Sequence, residues 1–189
     1  MISKVNQELL EKFVNEFSQK INDHKYLHQY TSLDSISRTL KDIYDIVIYL
    51  QMTNFKSILN IGTGPGIFEH VAKRNNLNVR TVEYIDEPDK ELNQFIREFF
   101  GTDIDYESTN FKNYKINTSD KFDAALISRF GPFQSSVTEQ DMNNFFKEIF
   151  NYTEEIIIPN LLLSASASNY LNEIAEFDGF AYTLTNNSI

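Results

Sequence analysis

Ser57-Ile58-Leu59-Asn60-Ile61-Gly62-Thr63-Gly64-Pro65-Gly66-Ile67-Phe68-Glu69-His70 is the stretch that decides the fold. Its first five residues have the length and apolar weight of a buried strand. Gly62, Gly64 and Gly66 follow at alternate positions, where the missing Cβ lets the backbone turn sharply and pass close to a ligand. A helix then begins at Ile67, and the first N–H groups of a helix have no intrahelical partner to satisfy them. Strand, glycine turn and helix N-terminus in that order form the context of a nucleotide-type site. A dinucleotide fingerprint places a third Gly or Ala where this chain has Ile67, so the spacing fits that class poorly.

Toward the C-terminus, strands and helices alternate. The helix Ile67–Asn75 leads to a strand over Val79–Ile85, and a helix runs from Pro88 to about Phe100. A third strand covers Ile104–Thr109, and a polar loop reaches Asp120. Phe122–Ile127 reads as a fourth strand, continuous and apolar, as expected where both faces of a sheet are covered. A helix over Thr138–Phe150 and a fifth strand, Glu155–Ile158 ending at Pro159, complete the regular part. One more helix, Asn169–Phe177, and one more strand, Phe180–Thr185, are expected in the tail. The alternation predicts a mostly parallel α/β sheet with helices on both faces and right-handed crossovers.

Toward the N-terminus, Val5, Leu9, Phe13, Phe17 and Ile21 recur every fourth residue among charged ones, the pattern of an amphipathic helix. His24 to Leu33 is rich in Tyr and His without periodicity. Asp34 is the expected N-cap of a second helix whose apolar stripe is Ile36, Leu40, Ile43, Val47 and Leu50. Residues 1–54 are thus read as an N-terminal helical extension or cap, and 55–189 as the α/β domain, within one folding unit.

The chain of 189 residues suits a single domain with a substantial core. Its formal charge of −10, without a Lys/Arg cluster, would repel a phosphate backbone, so nucleic acid is not the expected partner. No cysteine is present to form a disulfide, a thiolate metal site or a cysteine nucleophile. No run of apolar residues is long enough to span a membrane, and no signal-peptide pattern opens the sequence. The expectation is a soluble cytoplasmic protein, with a homodimer left open.

The glycine turn, taken with Glu83 at the end of Asn78-Val79-Arg80-Thr81-Val82-Glu83, resembles motif I and the following acidic position of class I S-adenosylmethionine-dependent methyltransferases. The resemblance covers residues 56–160. It implies a Rossmann-like sheet of seven strands with an antiparallel hairpin at its end, a complement that the thirty residues after Pro159 make hard to fit. It also implies N-terminal helices that cover the cofactor and contribute to the acceptor pocket. The implied cofactor is S-adenosyl-L-methionine, and the implied reaction is methyl transfer to an oxygen or nitrogen.

By the same resemblance, the loop Asn60, Gly62, Thr63, Gly64 and Gly66 passes beside the methionine part of the cofactor. Glu83 accepts both ribose hydroxyls, with Asp86 as the fallback; a carboxylate suits a diol in any fold. Tyr84 packs against adenine, Asn110 with Phe111 takes the adenine amino group, and Ser128 follows the fourth strand at the transfer position. Asn60 and Asn110 stand where the family commonly has acids, so each keeps an acceptor and loses a charge. A degenerate binding or partner subunit is therefore one alternative, and a nicotinamide-dependent oxidoreductase is another.

Two residues are candidates for catalysis. His28, flanked by Tyr26 and Tyr30, can accept a proton near neutral pH. Arg129 can bind a substrate carboxylate or phosphate through its planar fork. His24 and His28 are four apart, but nothing completes a ligand set, and no metal site is expected. Gly131-Pro132-Phe133 resembles the Pro-aromatic motif of amino-methylating nucleic-acid enzymes, yet Phe130 replaces the polar residue that would accept from the amine. A small-molecule acceptor is the expected partner. His70 is expected at the surface or in the groove.

Overall fold

Leu59 and Ile61 face one side of β1 (Ser57–Ile61) and Ile58 the other, and all three are fully buried. A strand covered on both faces must sit inside a sheet, and β1 pairs in parallel with β2 (Asn78–Glu83) and with β4 (Ala124–Ile127). The computed structural model describes residues 3–20, 31–62, 66–83, 94–95, 98–101, 105–106, 116, 119–128, 133, 138–161 and 163–189. Within them, β2 pairs in parallel with β3 (Asp105–Tyr106) and β4 with β5 (Glu155–Pro159). β7 (Ala181–Thr185) runs antiparallel between β5 and β6 (Glu176–Phe177). The sheet has seven strands in the order β3-β2-β1-β4-β5-β7-β6.

Helices cover both faces. Five are described in full: α1 (Gln7–Lys20), α2 (Leu33–Met52), α3 (Ile67–Arg74), α4 (Glu139–Ile149) and α5 (Ala165–Ile174). α1, α2 and α3 share one core with Ile58, Ala124, Leu126 and Ile157. α4 and α5 share the opposite core with Leu59, Ile61, Ala125, Ile127, Ile156 and Ile158.

The N-terminal helices are part of that first core. Phe13 and Phe17 of α1 are fully buried and stack at 5.0 Å. Phe13 also meets Phe100 at 4.8 Å and Phe99 at 5.3 Å, in the helical turn 98–100. Before α1, Ser3 N–H donates to Asn75 Oδ1 at 2.8 Å, and Val5 N–H to the Tyr44 hydroxyl at 2.9 Å. These bonds tie the chain start to the end of α3 and to α2. At its other end α2 is held by Tyr49, whose hydroxyl donates to Asp178 Oδ2 at 2.8 Å and whose ring lies 5.0 Å from Phe180. Burial raises the Asp178 carboxyl, but the N–H groups of Ala181 and Phe180 and the Tyr49 hydroxyl outweigh it and hold the pKa low.

Several boundaries differ from the expected ones for local reasons. The N-cap of α2 is Ser32, whose hydroxyl accepts from Ser35 N–H at 3.3 Å, and Asp34 lies in the first turn. The fourth strand begins at Ala124 because the Asp123 carboxylate is spent accepting from the N–H groups of Lys56 and Ser57, at 2.8 and 2.9 Å. Those two bonds, ahead of a smaller effect of burial, hold its pKa below the usual value. In the tail, Ser164 caps the helix through Ala167 N–H, so α5 starts and ends earlier than expected. That leaves room for a two-residue β6 and completes seven strands within the short tail. The helix expected over Pro88–Phe100 is helical at its described residues, and Ile85, Ile104 and 107–109 lie outside the described residues.

Phe13 is the centre of the aromatic contact between α1 and the turn at 98–100. Phe13→Ala should cost about 3–5 kcal/mol of unfolding free energy, read as a lowered midpoint in urea denaturation.

Candidate functional site

The open end of a parallel α/β sheet lies at the carboxyl ends of its strands, and there the chain makes its glycine turn. Gly62 extends the β1–β2 pairing by one bond, its N–H donating to Val82 O at 3.2 Å. It then leaves the sheet with φ 81°, a left-handed conformation that residues with a Cβ rarely adopt. Gly66, at φ 71°, is the N-cap of α3 and has no side chain to cap it. Gly66 therefore offers the first N–H groups of α3 no capping side chain of its own, and a helix N-terminus favours an anionic group. Ile67 is buried in the core with Phe68, Val71 and Ala72, so the helix seats by apolar contact at the position where a dinucleotide site has Gly.

Beneath this turn lies a buried polar cluster. Asn60 and Thr81 are register partners on β1 and β2, and both side chains meet Glu69 in the first turn of α3. Asn60 Nδ2 donates to Glu69 Oε1 at 2.7 Å, and Thr81 Oγ1 donates to the same oxygen at 2.5 Å. Two donors thus converge on one carboxyl oxygen. Asn60 is 1 % exposed and Glu69 5 %. The bond to Glu69 fixes the amide so that Oδ1 points away, and Oδ1 is buried without a hydrogen-bond partner among the described residues. Sequence reasoning singled out Asn60 but missed Glu69 and Thr81.

The other expected site residues divide as follows. Glu83 ends β2, its backbone paired with Tyr106 one residue beyond the Val82 carbonyl that holds Gly62. Ser128 follows β4 and is partly exposed at the same end of the sheet. Thr63, Gly64, Tyr84, Asp86, Asn110 and Phe111 lie outside the described residues, as do His24, His28 and Arg129. Phe133, the aromatic residue of the Gly131-Pro132-Phe133 motif, is 1 % exposed and packs edge-on against Phe146 of α4 at 5.7 Å. Its carbonyl accepts from Ser164 N–H at 2.8 Å, and this bond joins it to the start of α5.

His70, expected at the surface or in the groove, is only partly exposed. Its ring is half-buried against Phe100, with centroids 5.2 Å apart, and Nδ1 lies 3.2 Å from the Phe100 carbonyl. A carbonyl can only accept, so Nδ1 carries the proton, and the buried Nε2 has no partner among the described residues. Burial is the main influence lowering its pKa from 6.5, joined by the charges of Arg74 and Lys73 and opposed by the Phe100 carbonyl.

These features define a class of fold, a Rossmann-like sheet with the glycine-bearing segment at its open end, and solved S-adenosylmethionine-dependent methyltransferases are similar to it. No protein-family model and no curated protein matches the sequence. Among solved structures, an S-adenosylmethionine-dependent methyltransferase from Clostridium acetobutylicum is similar with a TM-score of 0.53 and 18% identity. The match covers 71% of this chain and 55% of that one, so the chain spans little more than half of that protein's length. A proposed O-methyltransferase from Klebsiella pneumoniae matches with a TM-score of 0.52 and 13% identity over 95% of this chain and 89% of that one. A mutant of MtNAS in complex with S-adenosylmethionine matches with the same score and identity, over 94% and 72%. At these identities the likeness is one of fold. Among the described residues no helix is long and apolar enough to cross a membrane.

His70 gives this region a pH dependence of known sign. Its folded pKa lies below the unfolded one, so the unfolded chain takes up the proton first and stability falls as pH drops from 7 through 6.5 toward 5. Its imidazole should titrate below 6.5 by NMR, and His70→Phe should show a shallower loss of stability over that interval than the native chain.

Proposed function

We propose that the chain is a methyltransferase that uses S-adenosyl-L-methionine and moves a methyl group to an oxygen or nitrogen of a small-molecule acceptor. The observation that supports this most is the pairing of two features at one end of the sheet. The uncapped N-terminus of α3 lies beyond Gly66, and the carboxyl end of β2, with Glu83, lies beside Gly62.

The donor set fits such a cofactor. Its carboxylate suits the first N–H groups of α3, its ribose diol suits the Glu83 carboxylate, and its positive charges suit a site underlain by the buried Glu69. When bound, it supplies a methyl group activated by a sulfonium, which leaves as a neutral thioether. What remains for the chain is alignment and exclusion of water. Gly62 and Gly66 would bring backbone close to the ligand, with Thr63, Gly64 and Asn60 as further expected contacts. Tyr84, Asn110 and Phe111 would hold the adenine. Ser128 and Arg129, at and after the end of β4, would orient the acceptor, and His28 would take its proton.

A small acceptor is favoured by the charge of −10, which opposes a polyanion. The buried Ile67 speaks against a nicotinamide dinucleotide. The missing charge at Asn60 is weak support for a binding-only chain, because a carboxylate stands 2.7 Å from its amide.

Calorimetric titration should find binding of S-adenosylmethionine and S-adenosylhomocysteine, and none of NADH. Glu83→Ala should weaken both sulfur nucleotides by about tenfold or more, as expected for a lost charged hydrogen bond. Binding of NADH alone would overturn the assignment, and unchanged affinity in Glu83→Ala would remove that residue from the site.

A further inference from the structure

We infer that Glu69 is the charge-bearing positioning residue of this site, acting on the bound ligand through Asn60, and that the pair favours a cationic sulfonium ligand over its neutral thioether counterpart. The inference rests on the methyltransferase reading and names the residues that set its ligand preference.

Four observations carry it. Glu69, 5 % exposed between β1, β2 and α3, sets an acid in the interior, a placement that is costly unless the group is hydrogen-bonded. Asn60 and Thr81 both donate to one of its oxygens, which anchors Glu69 to the two strands whose ends form the site. Asn60 Oδ1 is buried, without a partner among the described residues, at the residue two before Gly62. A buried acceptor of that kind is costly unless something completes it, and a donor group on a ligand would do so. Finally, Glu69 lies in the first turn of α3, where the aligned peptide dipoles favour negative charge.

Together these account for an asparagine at position 60. An aspartate there would set a second carboxylate about as close to Glu69 as the present 2.7 Å contact, and two acids at that separation cannot both ionise without repulsion. Of the facing pair 60 and 69, this chain carries the acid on the helix instead of the strand. Asn60 keeps an acceptor at the strand position, with its nitrogen turned to the acid and its oxygen without a partner among the described residues. A sulfonium gains from that charge and a thioether does not.

The test is calorimetry on the full chain with S-adenosylmethionine and S-adenosylhomocysteine as probes, alongside thermal melts. Glu69→Gln keeps an oxygen for Asn60 and Thr81 and removes the charge. The native chain should bind both probes, and Glu69→Gln should lower the ratio of S-adenosylmethionine to S-adenosylhomocysteine affinity about tenfold, since the sulfonium is the charge the two probes do not share. The exchange variant Asn60→Asp/Glu69→Gln returns one charge to the strand and should recover the preference. Asn60→Asp alone, with two facing acids, should melt below both the native chain and the exchange variant.

Equal loss of both probes in Glu69→Gln would assign Glu69 a purely structural role and overturn the inference, with the methyltransferase reading intact. An exchange variant that folds without the preference would do the same. Should Glu69→Gln not fold, the exchange variant decides alone by matching or missing the native preference. A native chain that binds neither probe would overturn both readings.

Discussion

A strand buried on both faces admits no unpaired polar side chain without cost, and β1 carries one, Asn60. Its amide nitrogen is paired with Glu69, and Thr81 on the neighbouring strand is drawn to the same oxygen. One carboxylate thus joins β1, β2 and the first turn of α3, the elements that meet at the glycine turn. Glu69 is an interior acid, tolerated because donors converge on it. Breaking the cluster would leave a charge or an amide buried without compensation, so the angle at which α3 leaves the sheet depends on it.

Around that point the fold divides its work between two faces. On one, α1, α2 and the turn at 98–100 pack with α3, and Phe13 and Phe17 supply the apolar contact. On the other, Phe133, α4 and α5 close over β4 and β5, which keeps the Phe133 ring in the core. The far edge is joined to α2 by Tyr49, Asp178 and Phe180. The carboxyl ends of β1, β2 and β4 are the end at which Gly62, Glu83 and Ser128 gather.

How much of this the sequence disclosed follows from which interactions are local. The strand, the glycine turn and the helix at Ile67 were legible because periodicity and glycine spacing act over a few residues. The parallel order followed from alternation, since a parallel strand needs a crossover. Boundaries set by side-chain bonds were less visible: Ser32 and Ser164 compete with their neighbours as caps, and Asp123 leaves the strand pattern to bind the start of β1. A two-residue β6 has no periodicity to detect, so the sheet looked too large for its tail. Glu69 was hidden because its partners are 9 and 12 residues away and meet it only through the parallel register of β1 and β2. The signal available was an acid on the buried side of a short helix that faces an asparagine-bearing strand.

The central claim is that the ligand sits at the carboxyl ends of β1 and β2 around the glycine turn. Amide hydrogen exchange of the full chain, with and without saturating S-adenosylmethionine, tests it most directly. The account predicts slowed exchange at Ile61, Gly62, the first turn of α3 from Ile67 to Glu69, and Val82 to Glu83. Protection confined to the opposite end of the sheet, at the hollow lined by Lys56, Lys121, Asp123 and Tyr152, would contradict it, as would no protection at all.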